Sequence, residues 1–252
     1  MKLLMKAAAA AFVVVGAGQA NAAVIDISVF SVSDYLNVTN TSTVLATEDF
    51  EGFTLAPNGA FQSADGSISS TVGSFLSAGG TGSGGTVTVP NPNLDGTKIA
   101  IRDGDVFGRT STTDDIAGTP GDASMDQFLD SNDTLGVNWN VDLGGDDFNL
   151  LAFVMTDSTD VGATLQVTSG GVTESLSGLG DGNQRLVVVS FDTLVSSASV
   201  SLLNNRINDG LSIDDIAVGI GPDAIAPVPV PAAAILLISA LGGLAAFKRK
   251  KA

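Results

Sequence analysis

Two short stretches hold the residue types that could bind an ion or move a proton. They are Glu48-Asp49-Phe50-Glu51-Gly52-Phe53 and Asn208-Asp209-Gly210-Leu211-Ser212-Ile213-Asp214-Asp215-Ile216-Ala217-Val218-Gly219. In the second, strict strand alternation puts Ile213 and Asp215 on one face and Asp214 and Ile216 on the other. One carboxylate then points the same way as buried apolar residues, which is costly without a cation or strong donors. The 11 Lys and Arg include only five outside the two ends: Lys98, Arg102, Arg109, Arg185 and Arg206. With so few cationic side chains at hand, a structural Ca2+ on oxygen ligands is the economical expectation. The competing reading leaves both Asp side chains solvated near a strand end.

Composition removes several other chemistries. The 252 residues include no Cys and no His, so there is no disulfide framework, no thiol nucleophile, no imidazole base and no zinc site built from those ligands. No Gly-x-Ser-x-Gly elbow occurs. A glycosidase needs two carboxylates at a set separation, and 27 acidic residues offer too many pairs for sequence to choose one. All 27 lie between Asp26 and Asp223, opposite the five basic residues of the body, and this field repels nucleic acid and anionic lipid. Asp103-Gly104-Asp105, Asp114-Asp115, Asp130-Ser131-Asn132-Asp133, Asp146-Asp147 and Asp157 to Asp160 read as solvated turns, where Asp and Asn cap their own backbone. Asp130, Asn132 and Thr134 begin an EF-hand spacing, but Leu135 stands where Gly is required. Trp139 and Tyr35 are the only Trp and Tyr; Trp139, between Asn138 and Asn140, reads as core, with a glycan-stacking platform as the alternative.

Phe50-Glu51-Gly52 and Ile213-Asp214-Asp215-Ile216 together resemble the edges of Ca2+-stabilised jelly-roll domains of the carbohydrate-binding-module and lectin-like type. That resemblance implies a structural Ca2+ near both segments, with Glu51 and Asp214 or Asp215 as its ligands.

The elements that must position these groups read as strands. Thr86–Val89, Lys98–Arg102, Val137–Leu143, Phe148–Thr156, Ala163–Ser169, Arg185–Phe191, Ala198–Asn204 and Leu211–Gly219 are rich in β-branched and aromatic residues. Gly, Asp, Asn and Ser clusters separate them, with no amphipathic helix in the body. The spacing predicts one all-β domain over 23–221, an antiparallel β-sandwich of jelly-roll type. Ser77–Thr86 is a Gly/Ser-rich loop that lacks the Lys-Ser/Thr ending of a phosphate cradle, and 103–133 reads as a long acidic surface loop.

The two ends are addresses. Residues 1–22 combine Lys2 and Lys6, an apolar run and Ala20-Asn21-Ala22, which predicts a helical signal peptide cleaved after Ala22. At the other end a Pro-rich linker (222–231) precedes an uncharged run over 232–247, expected as a transmembrane helix, and a basic cytoplasmic tail over 248–252. The run alone spans about 24 Å, and extending it back to Val228 just crosses a bilayer core of about 30 Å. Val228-Pro229-Val230-Pro231-Ala232, the apolar span and the terminal Lys/Arg cluster resemble the PEP-CTERM class of bacterial sorting signals, in its Val-Pro-Leu-Pro-Ala variant with Val230 in place of Leu. The resemblance implies recognition by an exosortase-type membrane protease, with the body exported and held outside the inner membrane, then at the cell surface or beyond it. A plain single-pass anchor is the alternative. The expectation is therefore a surface-sorted, non-catalytic module with a structural or adhesive role in the envelope or an extracellular polysaccharide matrix. A carbohydrate-binding module is the first alternative and a polysaccharide hydrolase the second.

Overall fold

The computed structural model describes residues 23–57, 59–80, 94–103, 127–157, 163–178, 184–205 and 210–222. The signal segment with Ala20 and Ala22, the strand expected at Thr86–Val89, the stretch 104–126, and the tail with its motif (Val228 to Ala232) and apolar span lie outside the described residues.

Short apolar runs punctuated by Gly, Asn and Asp pair throughout as antiparallel strands. In chain order these are β1 (Ile25–Phe30), β2 (Thr43–Glu48), β3 (Ala60–Phe61), β4 (Ser67–Ser70), β5 (Gly73–Ser77), β6 (Ala100–Asp103) and β7 (Gln127–Asp130). They continue with β8 (Gly136–Val141), β9 (Phe148–Thr156), β10 (Thr164–Ser169), β11 (Val172–Ser177), β12 (Arg185–Val195), β13 (Ala198–Leu203) and β14 (Ser212–Ile220). One sheet runs β1-β12-β9-β14-β7-β6-β3, with β2 also paired to β14, and the other runs β11-β10-β13-β8-β5-β4. From β8 onward the chain changes sheet at every connection except the β10–β11 hairpin, so the two sheets are laced together. The all-β antiparallel sandwich expected from sequence is the observed fold.

The interior is one continuous apolar layer between the sheets. Side chains alternate as the pleat requires: Leu165 and Val167 of β10, Val200 and Leu202 of β13 and Val137, Trp139 and Val141 of β8 all point into it. β9 is buried on both faces. Its Leu151, Phe153 and Met155 face the sandwich interior, while Ala152 and Val154 face a second cluster with Leu186, Ala217 and Tyr35. Tyr35 belongs to α1 (Tyr35–Asn40), a helix absent from the sequence reading. Six residues are too few to show a helical period, so α1 is set by tertiary packing rather than propensity. Thr39 and Thr41 hydroxyls donate to the carbonyls of Tyr35 and Asn37 and close it.

Aromatic rings cross the core in a chain. Phe53 lies 5.4 Å from Phe61 and 6.3 Å from Phe50, Phe50 lies 5.6 Å from Phe75, and Phe75 stacks on Trp139 at 5.6 Å. Trp139 meets Phe153 of the other sheet edge-on at 5.8 Å, and its Nε1 donates to the Val72 carbonyl at 3.0 Å. With 0% of its surface exposed, Trp139 cannot offer a face to a sugar, so the platform reading is overturned and the core reading stands. Close backbone approach is also built in: Gly136 (φ 123°) lies so near the Leu202 carbonyl oxygen that a Cβ there would overlap it.

Replacing Trp139 by Ala is expected to cost about 3–5 kcal/mol, as for other large aromatic truncations. Trp139→Phe should cost about 1–3 kcal/mol, through the donor withdrawn from Val72. Urea unfolding of the two variants checks this, and a cost below about 1 kcal/mol for Trp139→Ala would contradict a central role for the ring.

Candidate functional site

β14 has β9 along one side and two short partners end to end along the other. Ser212 and Ile213 pair with Asp130 and Leu129 of β7, whereas Ile216 to Ile220 pair with Glu48 back to Thr43 of β2. The hand-over falls at Asp214–Asp215, and there the strand carries an extra residue. Asp214 stands opposite Val154 and Ala217 opposite Ala152, three residues against two. Asp215 absorbs the insertion with a left-handed backbone (φ 46°), and its N–H donates to Asp214 Oδ1 at 2.8 Å.

This bulge corrects the alternation read from sequence. Ile213 and Ile216 both belong to the sandwich interior, and neither Asp shares their face. Asp214 is opposite Val154 and therefore on the outer face, 6% exposed; Asp215 is half-buried beside it. The conflict that motivated a cation, a carboxylate aimed into the core, is relieved by the backbone.

The Glu48–Phe53 segment fills the gap between β2 and β7. Phe50 takes a left-handed backbone (φ 59°) and drives its ring fully into the core. Glu48 Oε1 accepts the Phe50 N–H at 2.9 Å, Asp49 Oδ1 accepts the Glu51 N–H at 3.2 Å, and Glu51 Oε1 accepts the N–H of Gln127, the first residue of β7, at 2.6 Å. With its side-chain nitrogen turned inward, Gln127 donates to the Phe50 and Phe53 carbonyls at 3.0 and 3.2 Å. Sequence therefore paired the right two segments, and the structure brings both to one junction. Among the described residues, however, no group of three or more acidic side chains is arranged to hold a metal ion. Glu51 Oε1 and Asp214 Oδ1 each accept a backbone N–H, from Gln127 and Asp215. Tyr35 sits above the junction, and burial, then the negative charges of Asp215, Asp214 and Asp49, push its hydroxyl above the ordinary range.

Asp130–Asp133 departs from expectation in the other direction. It is buried rather than solvated: Asp130, Ser131 and Asn132 are all 0% exposed. Arg102 Nε pairs with Asp130 Oδ2 at 2.5 Å, and Arg102 Nη2 donates to Asn132 Oδ1 at 3.0 Å. Asn132 Nδ2 in turn donates to the carbonyls of Asp95 and Lys98, and Ser131 exchanges bonds with Leu211 through its N–H and hydroxyl. Arg102 and Asp130 form a structural clamp that sequence did not single out.

The outer face of the first sheet carries a groove of about 480 Å3. Its floor is β1 and β12 with the start of β9, and α1 with Thr41 and Ser42 walls one side. None of its residues was singled out from sequence. Asp26, Ser28 and Phe30 are ordinary edge-strand residues until the register places them opposite Ser190, Val188 and Leu186.

No protein-family model and no curated protein matches the chain. Among solved structures it is similar to the CBM22-1 xylan-binding domain of Paenibacillus barcinonensis Xyn10C, at 11% identity and a TM-score of 0.34, over 71% of this chain and 95% of that one. It is also similar to the CBM22-1–GH10 modules of the Clostridium thermocellum endo-1,4-beta-D-xylanase 10B, crystallised with xylohexaose, at 11% identity and a TM-score of 0.26. That match covers 69% of this chain and 28% of the xylanase chain. Likeness at this level does not say what this chain binds.

Burial pushes the Glu48 carboxyl above its ordinary 4.5, against the Phe50 N–H that favours its ionised form. The folded state therefore keeps this proton to higher pH than the unfolded chain does. Stability from this group is full below about 4.5 and falls as pH rises through the folded value. Glu48→Gln keeps the Oε1 acceptor and removes the titration. The variant should gain on the wild type across that window in thermal midpoint, and a pH-independent difference between the two would refute the assignment.

Proposed function

We propose that the chain is an exported, surface-sorted and non-catalytic β-sandwich that serves as a structural or adhesive part of the envelope or of an extracellular polysaccharide matrix. The domain's two ends carry this reading. Ala23, directly after the expected signal cleavage, is buried, and the Val24 N–H donates to Asp192 at 2.8 Å. At the other end the Gly221 N–H donates to Asn149 Oδ1 at 2.8 Å, directly before the Pro-rich linker. Val24 and Pro222 border the same groove. Each address segment thus adjoins a residue already hydrogen-bonded into the sandwich. A tail like that of PEP-CTERM proteins is then the substrate of an exosortase-type protease, with the body on the outside face of the membrane.

Polysaccharide binding by the body is the second reading, favoured by the groove on the outer face and by the sandwich architecture. A hydrolase has less behind it, because Glu51, Asp130 and Asp214 are each engaged by a backbone N–H or by Arg102.

Mass spectrometry of terminal peptides, on protein from culture medium, surface wash and membranes, tests the main reading. Chains starting at Ala23 and lacking residues after about Pro231 are expected in the released fractions. An intact tail ending at Ala252, confined to membranes, would replace the sorting signal with a simple anchor. Chains processed at both ends should unfold at the same midpoint as the tailed form.

A further inference from the structure

The groove between α1 and β1–β12 has the chemistry of a ligand site. Its size falls within the 300–1,000 Å3 usual for such sites. Asp26, Ser28 and Phe30 alternate along the edge strand β1 and so share its outer face. Phe30 is 42% exposed, large and apolar, at one end of this row. Val188 and Leu150 continue an apolar floor, and Ser190 and Asp192 stand among them. Across the groove, Asn37 is exposed on α1, next to the hydroxyls of Thr41 and Ser42.

Both walls are held in place. Tyr35 pins α1 to Ala152, Val154 and Leu186, and Asn149 bridges the Phe191 carbonyl and the Gly221 N–H beneath the groove. Thr41 and Ser42 hydroxyls donate back to the Asn37 and Val38 carbonyls, which leaves their oxygens facing outward as acceptors. A preformed site needs no ordering when its ligand arrives.

The lining also limits what can bind. Among the described residues it has two carboxylates and no Lys or Arg, which disfavours anionic groups. Flat apolar surface bordered by hydroxyl, amide and carboxylate groups suits a ring whose faces are C–H and whose rim is hydroxyl. We propose that this groove binds a neutral polysaccharide, with Phe30 against a sugar face and Asp26 and Asn37 bonding its hydroxyls. The assignment rests on reading the body as a polysaccharide-binding module.

Affinity electrophoresis of the full chain in gels containing xylan, soluble β-glucan or galactomannan, with alginate and chitosan as charged counterparts, separates the two ideas. Retardation by at least one neutral polymer and not by alginate is expected. Phe30→Ala, and Asn37→Ala on the opposite wall, should each weaken retardation about tenfold at an unchanged thermal midpoint. If the wild type is retarded and both variants match it, the groove is the wrong site although the module reading survives. If no neutral polymer retards the wild type, both fall. Retardation by chitosan alone, lost in salt, would make the groove a cation trap and overturn the neutral ligand.

Discussion

The molecule depends on a single extra residue in β14. This strand lies inside the larger sheet with both faces buried, yet its sequence places two carboxylates side by side in the middle. A regular strand would have to send one of them into the core. The bulge keeps both on the outer face at the cost of one left-handed Asp, a conformation that Asp tolerates better than most residues. It also marks where β14 exchanges β7 for β2, so the irregularity falls where pairing is already interrupted. The Glu48–Phe53 segment then seals that interruption, with Phe50 plugging the interior and Glu51 capping β7.

From this junction the aromatic chain reaches across to the second sheet. Phe50 touches Phe75, Phe75 stacks on Trp139, and Trp139 meets Phe153 back on the first sheet. With no disulfide available, this packing and the Arg102–Asp130–Asn132 clamp do the cross-linking. The clamp ties β6, β7 and the turn after β7 to the chain around Asp95 and Lys98. A buried ion pair of this kind adds little net stability, but losing one member leaves a buried charge, so it favours one arrangement over its competitors.

Much of the second half of the chain was legible because its longer strands are strongly patterned, although β7, inside the expected 103–133 loop, and β11 were not read. Phe148–Thr156 was read to the residue, and β10, β12, β13 and β14 within a few positions. The first half was read only at β6, expected as Lys98–Arg102; β3 and β4 have two and four residues and their pattern is too short to register. α1 is likewise shorter than two helical turns. The Glu51 and Asp214–Asp215 segments meet at one junction, but alternation could not foresee the bulge that keeps both Asp side chains off the core face. Asp130–Asp133 looked like a solvated turn; Asp130 instead ends β7, the turn follows it, and its buried partner Arg102 lies 28 positions away. The groove lies still further from sequence logic, because no one of its residues is unusual. Only the antiparallel register of β1 on β12 and the packing of Tyr35 gather them.

β14 is also the last described strand before the linker. It is hydrogen-bonded to β9 on one side and to β7 and β2 on the other. A tension applied through the tail would load these ladders in shear, so their bonds must give way together instead of opening one by one like a zip. A load on the groove at β12 would reach β14 through the ladder of β12 on β9 and of β9 on β14.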